Sequence, residues 1–162
     1  IKEKTELPDA HFLPETYRLT RPLSPHAAAA HDGIQIELDA FKIPETKPTG
    51  TLVIEGAGGL MVPLNNRHYM ADLIKKTNAP VILVTRSSLG TINHTLLSLE
   101  YLKQKKINVF GVVMNGEKNQ ENRDAIEKYG KIKVLAEIEP MPIINRKSLK
   151  KSFERCFIDI GD

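Results

Sequence analysis

From residue 50 onward, short β-branched runs alternate with stretches of helical periodicity. No other feature constrains the fold as much, because this is the pattern of βαβ units wound around a parallel sheet. The runs are Thr51-Leu52-Val53-Ile54-Glu55, Pro80-Val81-Ile82-Leu83-Val84-Thr85, Ile107-Asn108-Val109-Phe110-Gly111-Val112-Val113-Met114 and Ile132-Lys133-Val134-Leu135. They lack polar alternation, which predicts strands covered on both faces. Between the second and third runs, Ser87 to Lys106 reads as a helix. Leu89, Ile92, Leu96 and Leu99 recur at helical spacing, Ser87 or Ser88 can cap its start, and Lys103, Lys105 and Lys106 crowd its end. Tyr69 to Thr77 and Asn119 to Tyr129 predict shorter helices, the second closed by Gly130. Right-handed crossovers place each helix over the sheet and gather the functional loops at the carboxyl ends of the strands. The expected fold is α/β, a parallel sheet with flanking helices.

Residues 1 to 50 read differently. They carry Pro8, Pro14, Pro22, Pro25, Pro44 and Pro48, and their one clear helix start is Ser24-Pro25, leading into Ala27 to Ala30. This half reads as an excursion packed against the sheet and shaping a substrate pocket. With 162 residues, the chain suits a single α/β domain spanning 1–162. A composition of 41% hydrophobic and 27% charged residues is enough to build a core. The net charge of +3 is too slight and scattered to predict a nucleic-acid partner. No apolar run approaches the roughly 18 residues of a membrane span. Cys156 is the only cysteine, which excludes an internal disulfide and a cysteine-built zinc site, and it reads as a buried apolar residue. The charged start, Ile1-Lys2-Glu3-Lys4-Thr5-Glu6, lacks the apolar segment of a signal peptide, so a cytoplasmic location is expected. The absence of an initiator Met fits a processed or partial chain.

Three segments carry residue types suited to chemistry. Glu55-Gly56-Ala57-Gly58-Gly59 follows the first run directly, so a carboxylate at a strand tip precedes glycines that let the backbone approach a ligand. A carboxylate there suits Mg2+, which takes one or two carboxylates plus phosphate oxygens, and the glycine amides can face anionic oxygens. The plainer alternative is a tight turn with an incidental acid. Ser87 to His94 lies at a strand tip and helix start, where unpaired amides favour a carboxylate or phosphate, against the alternative of capping alone. His94 has no acid partner that the sequence can place. Asn115-Gly116 ends the third run, where an amide can read a base edge or simply form a turn. Lys147, Lys150, Lys151 and Arg155 form a basic helical face that reads as solvated surface, because no aromatic residues interleave with it. The motif Gly-x-x-x-x-Gly-Lys-[Ser/Thr] is absent.

Taken in order, Glu55 to Leu64, Val81 to Thr95 and Gly111 to Gly116 closely resemble dethiobiotin synthetases. Upstream, Leu13-Pro14-Glu15-Thr16-Tyr17-Arg18-Leu19 and Leu23-Ser24-Pro25-His26-Ala27-Ala28-Ala29 match the same family, so the resemblance runs from about residue 7 to 145. It implies a P-loop NTPase-like fold related to the nitrogenase iron protein, a homodimer, and a reaction that joins CO2 to 7,8-diaminononanoate (7,8-diaminopelargonate). In that reaction ATP phosphorylates a carbamate and the second amine closes a ureido ring. Carried over by position, Glu55 would bind Mg2+, with Gly56, Ala57 and Gly58 beside the phosphates and the diamine. Gly90, Thr91, Ile92 and Asn93 would hold the diamine's remote carboxylate, reaching a neighbouring subunit's site. Asn115 and Gly116 would meet the adenine of ATP, with Glu139, Pro140 and Met141 lining the base pocket, although this last stretch departs from the commoner family pattern.

The front of the chain departs further. In the family a P-loop, a catalytic lysine and a metal-binding aspartate precede the Leu13-Pro14-Glu15 segment, and this sequence has no place for them. The resemblance therefore implies the carboxyl-terminal three-quarters of the family domain, with its N-terminal part missing, no catalytic residue within the chain, and no turnover by the chain alone. The competing reading is a non-catalytic P-loop-like module retained for regulation or oligomerisation. Such a module would have no need of both Glu55 and the Gly90 to His94 helix start.

Overall fold

The computed structural model describes residues 1–44 and 50–157. Pro48, counted above in the proline-rich excursion, and the end of the chain from residue 158 onward lie outside the described residues. The helices are α1 (Lys2–Thr5), α2 (Pro25–His31), α3 (Met70–Thr77), α4 (Thr91–Gln104), α5 (Gln120–Gly130) and α6 (Arg146–Cys156). The strands are β1 (Val81–Arg86), β2 (Val109–Asn115) and β3 (Val134–Ile138). These elements fall into two compact units, one of residues 1–13 and 80–162 and the other of residues 14–79.

The first unit holds a parallel sheet in the order β1-β2-β3, the α/β architecture that the alternating pattern predicts. Helix α4 joins β1 to β2 and α5 joins β2 to β3, so each parallel pair is bridged by a helical crossover. Val112, Met114, Ile126 and Val134 are buried together, with Leu83, Leu99 and Ile132 packed against them, so residues of α4 and α5 close one face of the sheet. Each such fully buried aliphatic side chain contributes about 1.5–3 kcal/mol. A second cluster, Val113, Leu135 and Ala136, packs against Ile138, Cys156 and Phe157, which brings the end of α6 to β3. The Cys156 thiol donates to the Glu137 carbonyl at 3.3 Å. The residue is half-buried rather than buried, because it sits at the rim of this smaller cluster.

The second unit is organised around Ala29 of α2, Ile36, Leu64 and Met70 of α3. Pro25 occupies the first turn of α2, as the Ser24-Pro25 pair predicts. Asp72 accepts from the Tyr69 amide at 2.8 Å and caps α3. The amides of Met70 and Ala71 donate to the Val62 and Leu60 carbonyls, both at 2.9 Å, which fixes residues 60–62 to the start of that helix.

Four expectations need correction. Thr51–Glu55 forms no strand: it has no regular secondary structure, and Val53 and Ile54 are 86% and 48% exposed. Apolar composition makes such a run competent for a sheet, but ladder hydrogen bonds make it a strand, and among the described residues this run has none. Nor are all strands covered on both faces, since Ile82, Val84 and Phe110 are exposed. Helix α4 starts at Thr91 rather than Ser87, with Gly90 at its N-cap and φ 91°, and Ser87 to Leu89 are spent turning the chain. Finally, Gly130 is the last residue of α5, and Lys131 takes the left-handed closing position at φ 49°.

Candidate functional site

Three of the segments singled out in the sequence lie at adjacent strand tips in the first unit. Arg86, the last residue of β1, pairs with Asn115 at the end of β2, and Asn115 pairs with Ile138 at the end of β3. The register therefore sets Ser87–Asn93, Asn115–Gly116 and Glu139–Met141 side by side at the carboxyl edge of the sheet. Open parallel sheets generally bind their ligands at this edge.

The turn after β1 is held at several points. The Thr91 hydroxyl donates to the Arg86 carbonyl, and the Thr91 amide donates to the Ser88 carbonyl at 3.1 Å. The His94 amide closes the first helical bond to Gly90 at 3.2 Å. Thr91 has thus already used its amide, whereas those of Ile92 and Asn93 make no backbone hydrogen bond among the described residues. The orphan donors at this helix start belong to residues 92 and 93, at the positive end of a 14-residue helix. The side chains of Asn93 and His94 are exposed.

The tip of β2 touches that turn directly. Gly116 has φ 141°, and a Cβ there would run into the Ser87 hydroxyl. Ser87 itself is buried at 6% exposure. The Gly116 amide donates to the Ile138 carbonyl at 2.9 Å, which ties the β2 tip to the segment leading to Glu139. Asn115 leaves its side chain exposed at the strand end, where both its donor and its acceptor can meet a ligand.

Sequence reading missed the groups that brace these tips. Asn122, in the first turn of α5, donates from Nδ2 to the Ser87 carbonyl at 2.8 Å across 35 residues of sequence. Its own amide is capped by Asn119 Oδ1 at 2.9 Å. Arg123 pairs with Glu137 at 3.1 Å and reaches the Val134 carbonyl at 3.3 Å, tying α5 to β3. Arg155, assigned above to a solvated basic face, is exposed as expected and also pairs with Glu139 at 3.4 Å, a surface contact between α6 and the 139–141 segment. Lys147, Lys150 and Lys151 are exposed, as expected. The one signal available in advance was the Asn119-x-x-Asn122 spacing of a helix start, which predicts a cap but not a bond to another turn.

The remaining candidate segment belongs to the second unit. Glu55 through Gly59 are exposed and without regular secondary structure. A Cβ at Gly58, whose φ is 80°, would lie 2.9 Å from Val62 Cγ2, so the loop's own turn accounts for this glycine. A Cβ at Gly59 would meet open space. Among the described residues no three His, Cys, Asp or Glu side chains gather as a metal site. The donor set here is one exposed carboxylate next to a glycine-rich turn. It fits a Mg2+ ion whose other ligands are phosphate oxygens and water, and it does not fit a metal caged by protein.

Comparison with known proteins adds to this geometry. Residues 1–148 match the family model of an AAA domain. The chain is 46% identical over 142 residues to the ATP-dependent dethiobiotin synthetase BioD of Paramagnetospirillum magneticum, covering 88% of this chain and 68% of that protein. It is 44% identical over 155 residues to the corresponding protein of Christiangramia forsetii, covering 96% and 73%. It is also 44% identical over 143 residues to the biotin biosynthesis bifunctional protein BioCD of Bordetella avium, of which it covers 30%.

Proposed function

The chain belongs to the dethiobiotin synthetase family, within the wider class of AAA domains, and from that premise we propose that it is an ATP- and Mg2+-dependent cyclo-ligase of biotin biosynthesis. Its substrates are 7,8-diaminononanoate, CO2 and ATP. One amine adds to CO2 and loses a proton, giving a carbamate. A carbamate oxygen displaces ADP from the γ-phosphorus, which turns a poor electrophile into a carbamic-phosphoric mixed anhydride. The second amine then attacks the carbonyl carbon, phosphate leaves, a proton is lost, and the ureido ring closes. Phosphoryl transfer of this kind asks the protein mainly for positioning and charge neutralisation.

The observation that carries this reading is the row of three strand tips fixed by the β1-β2-β3 register. In it, the amides of Ile92 and Asn93 at the start of α4, with Gly90 and Thr91 shaping the turn, take the diamine's carboxylate and reach the site of a neighbouring subunit in a homodimer. Asn115, above Gly116, pairs its amide with the adenine edge, and Glu139, Pro140 and Met141 line the base pocket. Glu55 supplies the carboxylate for Mg2+ and the backbone of Gly56, Ala57 and Gly58 faces the phosphates. Mg2+ contributes charge neutralisation on the transferring phosphoryl group. By themselves residues 1–162 do not turn over, because the sequence carries no Gly-x-x-x-x-Gly-Lys-[Ser/Thr] motif.

Glu55→Gln tests the metal assignment, since it removes the charge and keeps the volume. In a chimera that supplies the amino-terminal segment of the P. magneticum relative, turnover at limiting Mg2+ should fall by about two orders of magnitude with the thermal midpoint unchanged. Equal activity across a magnesium titration would remove Glu55 from the metal site.

A further inference from the structure

We propose that Asn122 is a positioning residue for the carboxylate-binding turn, acting through the Ser87 carbonyl to set the β1–α4 turn against the β2–α5 turn. The inference rests on the reading of the strand tips given above and goes beyond it, since Asn122 lies outside every segment that reading uses.

The geometry separates this role from ordinary helix capping. Helix α5 is already capped by Asn119, whose Oδ1 takes the Asn122 amide at 2.9 Å. The side chain of Asn122 adds nothing to its own helix. It leaves α5 and donates to a backbone carbonyl 35 residues away, at 2.8 Å. That carbonyl belongs to Ser87, whose hydroxyl faces Gly116 so closely that no side chain fits there. One amide thus fixes the residue at which the two turns touch. On one side, the Thr91 hydroxyl, bonded to the Arg86 carbonyl, carries the constraint into α4 and the unpaired amides of Ile92 and Asn93. On the other, the Gly116 amide bonded to the Ile138 carbonyl carries it to Glu139. Between the buried Ser87 and Thr91, the residues Ser88, Leu89 and Gly90 are exposed, so this middle of the turn is held by hydrogen bonds rather than by core packing. A shift of a fraction of an ångström in the two free amides is enough to weaken a bidentate grip on a carboxylate.

The test uses the full 162-residue chain and the variant Asn122→Asp. Aspartate keeps the size of asparagine and is favoured in the first turn of a helix, so α5 and the thermal midpoint should be retained. The donor facing the Ser87 carbonyl becomes an acceptor, however, and the contact turns repulsive. The expected result is displaced amide resonances at Ser88 to Asn93 and at Gly116. The apparent Kd for 7,8-diaminononanoate should rise about fivefold, the equivalent of one lost hydrogen bond, with the midpoint little changed. Asn122→Ala, which leaves the carbonyl unbonded without repulsion, should show the same displacements at smaller amplitude. Displacements confined to α5, or an unchanged diamine Kd in both variants, would overturn the proposal. If the unaltered chain does not bind the diamine, the assignment of the diamine's carboxylate to this turn is what fails. Asn122 is then judged on the resonances alone: displacement at Ile92 and Asn93 upholds its role and confinement to α5 overturns it.

Discussion

A single hydroxyl, that of Ser87, decides what residue 116 can be. The sequence marks Asn115-Gly116 as a strand end, and turn chemistry alone would let several residues follow an asparagine there. The structure gives a sharper reason for glycine: φ is 141°, and the Ser87 hydroxyl occupies the space of a Cβ. Gly116→Ala should therefore cost about 1–3 kcal/mol of stability, since Ser87 must rotate away while the backbone stays strained. Thermal unfolding checks this, and an unchanged midpoint would show that the two turns do not meet as described. Glu55 and Asn115 could be chosen from sequence because a polar residue at the end of an apolar run is conspicuous. Asn122, Arg123, Glu137 and Arg155 could not, because their partners lie 35, 14, 14 and 16 residues away and only the folded register brings them together.

Among elements, those with strong local signals were legible. Helices α3 and α5 fall within a residue of the periodic stretches that predict them, and β1 to β3 follow three of the four apolar runs. The remaining run, Thr51–Glu55, forms no strand, since nothing in its four apolar or β-branched positions states which neighbour they pair with. The start of α4 differs too, because serines that resemble caps form a turn closed by Gly90. Helix α2 carries a pH-dependent contact that no periodicity could reveal. Asp32, at its C-terminal end, accepts from both the hydroxyl and the amide of Thr20, and these bonds, the side-chain one foremost, hold its carboxyl below the ordinary aspartate range. A carboxylate whose folded pKa is lowered stabilises fully above its unfolded value. The contribution is lost as pH falls through the folded one, so loosening of this corner should begin below about pH 4. The Thr20 amide shift, followed from pH 6 downward, should move in that window in the native protein and stay flat in Asp32→Asn. A Thr20 shift that titrates near neutrality would contradict the assignment.

For the molecule as a whole, fold class and family were both readable from the order of motifs, because a parallel sheet places its loops at one edge whichever helices intervene. The depth of that edge was less readable. Its tips are tied to α5 through the Asn122 amide and, by a surface ion pair, to α6 through Arg155, and neither partner is visible in the sequence. Among the described residues, no helix is long and apolar enough to cross a membrane. The central claim is ureido ring closure, with the chain supplying the carboxylate, base and metal contacts and a P-loop segment supplying the phosphate grip. The most direct test incubates 7,8-diaminononanoate, bicarbonate and Mg-ATP with the 162-residue chain and, separately, with the chimera carrying the amino-terminal segment of the P. magneticum relative, and identifies the products by mass. The account predicts dethiobiotin from the chimera, with one ADP and one phosphate released per ring, and none from the chain alone. Dethiobiotin formed by the chain alone, or ATP hydrolysis by the chimera without ring closure, would contradict it.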